Sequence, residues 1–189
     1  MKVAIDLRKF RSGHWQRGIG VYTQQLFQAL KEKQAADFSV QLIEKGKISA
    51  EADLIHYPYF DLFFLTLPFK RTKPRVVTVH DLIPLVFPEH FPPGLKGKMR
   101  FRIQKQALKK VDAIITDSQS SKRDIIKYLH FPKEKIYVIP LAPGEEFKIL
   151  KIESASWRRK IKEKYQLPET FLLYVGDINY SKNVPGLIK

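Results

Sequence analysis

The sequence predicts an α/β fold, an open and mostly parallel sheet with helices on both faces, and three observations lead there. Apolar runs of strand length alternate with longer amphipathic or charged segments, the pattern of βαβ units. The runs are nearly continuous, as in Val76-Val77-Thr78-Val79 and Ala113-Ile114-Ile115, which suits strands covered on both faces. The chain's 189 residues, 44% of them hydrophobic, are enough to bury one complete core. With no cysteine present, that core is held by packing, without disulfides or thiolate metal sites.

Strands are expected at residues 2–6, 39–43, 53–57, 75–80, 112–116 and 135–140, each a short apolar run. Between them, helical spacing falls at 18–33, 95–110 and 118–129. The last of these has a start signal, because Asp117 and Ser118 can each accept hydrogen bonds from free backbone N–H groups. After Pro140 the run Leu141-Ala142-Pro143-Gly144 ends the alternation. One domain is therefore expected over 1–147, with a linker and the beginning of a second over 148–189. The second opens with a helix at 154–165 and a strand at 171–175, then Gly176 and a lysine-containing turn.

The formal net charge of +15, from 34 Lys and Arg against 19 Asp and Glu, attracts polyanions: nucleic acid, anionic lipid or phosphorylated substrates. Residues 1–6 lack the long apolar stretch of a signal peptide, so the expected location is cytoplasmic. The most hydrophobic stretch, 57–69, carries two prolines and Asp61 and falls short of the ~20 apolar residues of a membrane-spanning helix. Residues 94–111 contain Lys96, Lys98, Arg100, Arg102, Lys105, Lys109 and Lys110 and no acid. Leu95, Met99, Ile103, Ala107 and Val111 recur there at helical steps. Such a helix lies on anionic lipid, or packs its apolar face on the sheet and leaves the lysines solvated. The neighbouring Phe60, Leu62, Phe63, Phe64, Leu65, Leu67 and Phe69 are hard to bury fully. Together the two features point to a peripheral position at the inner face of a membrane.

In an open α/β sheet, ligands bind beyond the carboxyl ends of the strands, and four places there carry chemistry. In Arg17-Gly18-Ile19-Gly20-Val21-Tyr22, glycines opening a helix let backbone N–H groups approach an anion, or simply permit a tight turn. His80-Asp81 closes the fourth strand. There the histidine can donate to a hydroxyl or exchange a proton near neutral pH, with Asp81 orienting it or accepting from the acceptor's hydroxyl; a structural histidine is the alternative. Asp117-Ser118 is a helix cap that can also line the cleft. In Gly176-Asp177-Ile178-Asn179-Tyr180-Ser181-Lys182, a strand, a loop and a lysine before a helix suit a diphosphate, with Lys182 the point charge. No closely spaced set of histidines and carboxylates makes a cation site. A rival class is a basic nucleic-acid-binding α/β module without enzymatic activity, with Tyr57, Tyr59 and Phe60 available for stacking.

In this order the features resemble glycosyltransferase family 4. The similar stretches are Gly-Ile-Gly-Val-Tyr-Thr, Val-Thr-Val-His-Asp-Leu-Ile-Pro, Ile-Thr-Asp-Ser-Gln-Ser-Ser-Lys-Arg-Asp-Ile, Val-Ile-Pro-Leu-Ala-Pro-Gly and Tyr-Val-Gly-Asp-Ile-Asn-Tyr-Ser-Lys-Asn, spanning residues 18–183. The resemblance implies a GT-B fold, two Rossmann-like domains across a cleft, with this chain supplying the acceptor-side first domain. It implies a retaining transfer from a nucleotide sugar, a co-substrate rather than a cofactor, to a cell-envelope glycan or lipid-linked acceptor. Gly18, Gly20 and Arg17 would then meet the donor phosphates, His80 the transferred sugar, and Lys182 the leaving diphosphate. Tyr22, Tyr57, Asp117 and Ser118 would line the acceptor cleft; Lys96, Lys98, Arg100, Arg102 and Lys105 would face the membrane. Asp177 stands where the family often has arginine. The family's Glu-x7-Glu donor element would fall beyond Lys189, so these residues alone are not expected to turn over.

Overall fold

The computed structural model describes residues 1–9, 18–46, 48–144 and 155–188. Two compact units divide the chain, Met1–Ala142 and Pro143–Lys189. In the first run β1 (Lys2–Asp6), α1 (Gly18–Glu32), β2 (Ser39–Ile43), β3 (Leu54–Tyr57), β4 (Arg75–Thr78), α2 (Ile83–Val86), α3 (Gly94–Leu108), β5 (Ala113–Thr116), α4 (Gln119–Asp124) and β6 (Ile136–Val138). A π-helical stretch, Ile125–Leu129, continues α4. The strands form one sheet in the order β2-β1-β3-β4-β5-β6, and every neighbouring pair is parallel. From β1 the chain goes to one side for β2 and then crosses to the other for β3. This reversal opens a crevice at the carboxyl edge of the sheet.

Side chains alternate across a pleated sheet, and the register sorts them. Val3 pairs with Leu54, and with Ile5, Leu7 and Val40 they join Phe27 and Leu30 of α1 in one apolar cluster. Tyr57 pairs with Val77, Val77 with Ile114, and Ile114 with Ile136. Those four lie on the opposite face, in a larger cluster with Ala107 and Leu108 of α3 and Ile125 and Leu129 after α4. Helices thus cover both faces, giving the Rossmann-like sheet that the alternation predicts. His56, Thr78, His80 and Asp117 share parity with Leu54, so they fall on the α1 face.

Gln104 of α3 joins that helix to the apolar connection before β4. Its side-chain oxygen accepts from the Thr66 and Leu67 backbone N–H groups at 3.1 and 2.9 Å, and its amide donates to the Leu67 carbonyl at 2.9 Å. All of this is buried, so Gln104→Leu strands donors away from water. Urea denaturation of the complete protein is expected to show a loss of about 2 kcal/mol.

The structure corrects two sequence expectations here. The series Leu95, Met99, Ile103, Ala107, Val111 is not a single packed face. Ala107 and Val111 are buried, whereas Leu95, Met99 and Ile103 are 86%, 60% and 40% exposed. Residues 171–175 form no strand, and Leu172 and Val175 are each 84% exposed. A strand exists through hydrogen bonds to a neighbour, and none runs alongside among the described residues. The second unit instead shows α5 (Ala155–Tyr165), a 3₁₀ turn (Tyr180–Lys182) and α6 (Val184–Ile188). No helix among the described residues is long and apolar enough to cross a membrane.

Candidate active site

β4 ends at Thr78, but Val79 still donates to the Ile115 carbonyl at 2.9 Å, so the chain leaves the sheet in a fixed direction. His80 is the first residue free of the ladder, beside the carboxyl ends of β3 and β5. Its Nδ1 lies 2.7 Å from Asp117 Oδ2, and its Nε2 lies 3.2 Å from the Pro58 carbonyl. Both partners can only accept. A doubly protonated ring satisfies both, and a neutral ring gives one up. The bond to Pro58 is the longer, and it is the one that a ligand hydroxyl can replace. The two side chains are only 16% and 20% exposed, so they interact with little solvent screening.

Asp117 Oδ1 is buried and has no hydrogen-bond partner. A carboxylate oxygen so placed is an acceptor awaiting a donor. The cap of α4 belongs to Ser118 instead, whose Oγ accepts the Ser121 N–H at 3.0 Å. Ser121 Oγ in turn donates to the His80 carbonyl at 2.8 Å. This bond fixes the start of α4 against the end of β4, and with it the Asp117 carboxylate against the imidazole.

α1 supplies the third wall. The Tyr22 ring stands edge-on to His80, with centroids 4.8 Å apart and planes at 87°. Tyr22 OH lies 3.2 Å from Thr78 Oγ1, which lies 2.8 Å from His56 Nε2. Burial pushes the Tyr22 phenol above its ordinary range, opposed by the Thr78 bond and reinforced by Asp117. Burial, and secondarily the His80 charge, lowers His56 to about 4, so its ring is neutral. Tyr22, Thr78 and His56 form a braced floor beneath His80.

Of the residues singled out in the sequence, the structure brings His80, Tyr22, Asp117 and Ser118 together. Gly18 and Gly20 open the same helix as Tyr22; Gly20 is buried, and a side chain at Gly18 would meet no atom within 4 Å. Asp81 is exposed and accepts the Ile83 N–H at the start of α2, so the carboxylate orienting His80 is Asp117. Tyr57 lies apart, 5% exposed in the larger core on the opposite sheet face, its phenol pushed up to about 12 by burial. Lys182 is exposed in the 3₁₀ turn of the second unit. Arg17 lies outside the described residues. His56, Thr78 and Pro58 were not singled out, and Ser121 entered only within the stretch 117–121 that opens α4. Their signal was alternation: Thr78 and His56 are polar residues in otherwise apolar strands, on the parity of His80.

Against this geometry, the family model for Glycosyltransferase Family 4 matches residues 35–142. The chain belongs to glycosyltransferase family 4. Among curated proteins, this family member is similar to the serotype-specific mannosyltransferase WbdA of Escherichia coli, 33% identical over 130 residues, 68% of this chain. It is also similar to the O-antigen chain mannosyltransferase B of Escherichia coli, 27% identical over 122 residues, 63% of this chain. The chain spans 16% of the first relative's length and 30% of the second's. The matched family segment contains β3, β4, β5 and α4, and therefore His80, Asp117 and Ser118.

Proposed function

We propose that this chain is the acceptor-side part of a retaining glycosyltransferase that moves a hexose, of which mannose is the first candidate, from a nucleotide sugar to a cell-envelope or lipid-linked glycan. The observation that carries the proposal is the His80–Asp117 pair at the carboxyl edge of β4 and β5, with one carboxylate oxygen still unpartnered. His80 donates to a hydroxyl of the transferred sugar, and Asp117 Oδ1 accepts from one. Tyr22 and Ser118 line the same cleft. Gly18 and Gly20 open α1 toward the donor's phosphates; Arg17 and Lys182 serve the leaving diphosphate. Retention follows from front-face attack, in which backbone N–H groups and a lysine stabilise that diphosphate as charge develops on it. No bound cofactor or metal enters the scheme. Nucleic acid is not a partner, and the enzyme works at the inner face of a membrane. The activity belongs to the whole enzyme rather than to these residues alone.

The test is a donor screen on the complete protein, with GDP-mannose and UDP-glucose offered beside an envelope glycan acceptor and the product linkage read by NMR. Transfer with the donor's anomeric configuration preserved is expected. Inversion, or no transfer from any nucleotide sugar, overturns the proposal.

A further inference from the structure

We infer that the outward face of α3 is a docking surface for an anionic lipid bilayer, with Leu95, Met99 and Ile103 entering the apolar layer and the flanking cations meeting the headgroups. The inference builds on the membrane-proximal reading above, but its evidence is the geometry of one helix.

The packed side of α3 is set by Gly97, Gln104 and Leu108, all buried. At 100° per residue, Leu95 and Met99 stand roughly 160° and 200° round from Gly97, diametrically away from the core. They are 86% and 60% exposed, and Ile103 is 40% exposed. Packing in this unit therefore gives no account of three aliphatic side chains on successive turns. Lys96, Lys98, Arg102, Lys109 and Lys110 are exposed around them. No acid occurs from residue 94 to 111. Asp112, just past the helix, is neutralised by Arg71 at 2.8 Å. The surface is thus apolar at its centre and uniformly cationic at its rim, the complement of acyl chains beneath anionic headgroups.

A second element borders this stripe. Phe64, Leu65 and Phe69 are 37%, 47% and 53% exposed in the connection before β4. Arg100 stacks over Phe64 at 5.6 Å and Lys110 over Phe69 at 3.7 Å. Gln104 ties this connection to α3, and Phe63 meets Phe101 edge-on at 6.5 Å. The two elements of the surface are therefore held to each other by contacts within this unit. Lys105 is excluded from it: its ammonium donates to the Tyr128 carbonyl at 3.0 Å, toward the packed side. Nucleic acid fits this face less well, because three aliphatics at its centre offer phosphates nothing.

The experiment is co-sedimentation of the complete protein with vesicles of phosphatidylcholine alone or mixed with phosphatidylglycerol. Binding is expected only to the mixed vesicles, weakening as salt rises. Because the substituted side chains are exposed, the variants keep the parent's melting temperature. Leu95→Gln with Met99→Gln lowers binding by about tenfold. Lys96→Gln with Lys98→Gln and Arg102→Gln lowers it on the order of a hundredfold and flattens the salt dependence. Sugar transfer to a lipid-free acceptor glycan, followed in parallel, stays at the parent's rate in both variants, so failure of docking is distinguishable from failure of the transferase reading. Equal binding to both vesicle types, unaltered binding by the Leu95 and Met99 variant, or tight RNA binding without vesicle binding overturns the inference. So does a self-associated protein that Leu95→Gln with Met99→Gln dissociates, since a second copy then covers the face.

Discussion

In the complete enzyme, His80→Ala is expected to lower kcat/KM by roughly a hundred- to a thousandfold, a loss of about 3 to 4 kcal/mol of transition-state stabilisation. The size follows from the pair's position. Imidazole and carboxylate lie 2.7 Å apart and largely out of water, where a preorganised hydrogen-bonding pair is worth far more than in solvent. Truncation also leaves both Asp117 oxygens without partners and takes the donor away from the Pro58 carbonyl. If His80 meets the transferred sugar as proposed, the fall should appear mainly in kcat, because such a contact strengthens as the glycosidic bond breaks. Stability should change little by comparison. The bond from the Ser121 side-chain hydroxyl to the His80 carbonyl survives the substitution and keeps α4 in place. Steady-state kinetics beside a thermal melt separates the cases: a large drop in melting temperature with kcat intact would make His80 a structural residue. Asp117→Asn is the companion variant. It keeps the shape and removes the charge, so kcat should fall about tenfold, while the melt stays near the parent's.

The strands were legible because a parallel sheet buried on both faces leaves unbroken apolar runs. β1 and β2 occupy the expected residues 2–6 and 39–43. His80 and Asp117 were legible from position alone, each directly beyond a strand. Their mutual bond was not, because β4 and β5 are joined by a long crossover and the distance between their ends is a tertiary fact. The capping signal at 117–118 was shared between two residues in the sequence; in three dimensions Ser118 caps and Asp117 turns to the imidazole. α3 misled by arithmetic. Steps of four residues advance 400° per step, so the series from Leu95 to Val111 drifts 40° each time. It begins outward at Leu95 and spirals into the core by Ala107. The run at 171–175 had strand composition but no neighbour to bond among the described residues, and composition alone does not make a ladder.

Acid should destabilise the first unit through His56, and the sign is set by where its ring sits. Buried beneath Thr78, the ring is neutral in the fold and titrates at about 4 rather than 6.5. The unfolded chain therefore binds a proton that the folded chain refuses throughout the window between those values. Stability from this residue is complete above pH 6.5 and is lost as pH falls toward 4, about 3 kcal/mol in all. Exposed carboxylates contribute later: Glu51 beside Lys2 and Glu169 beside Lys162 are held below the ordinary 4.5, so their losses set in only as pH falls through 4.5, at the foot of the histidine window. Urea denaturation of the complete protein at pH 7, 5.5 and 4 gives the profile. His56→Asn, which keeps a polar group near Thr78 Oγ1 but cannot titrate, should lower stability at pH 7 and flatten the slope between 6.5 and 4. An unchanged slope in that variant would mean that the ring accepts its proton in the fold. Tyr22 then connects this stability to catalysis, because the hydroxyl of Thr78 that meets His56 also meets the phenol standing against His80. Protonating His56 fixes its Nε2 as a donor to Thr78 Oγ1 and leaves that hydroxyl to donate only toward Tyr22. Transfer by the folded enzyme should therefore lose this contribution only as pH reaches about 4, at the foot of the window in which stability falls, and His56→Asn should remove that part of the acid limb.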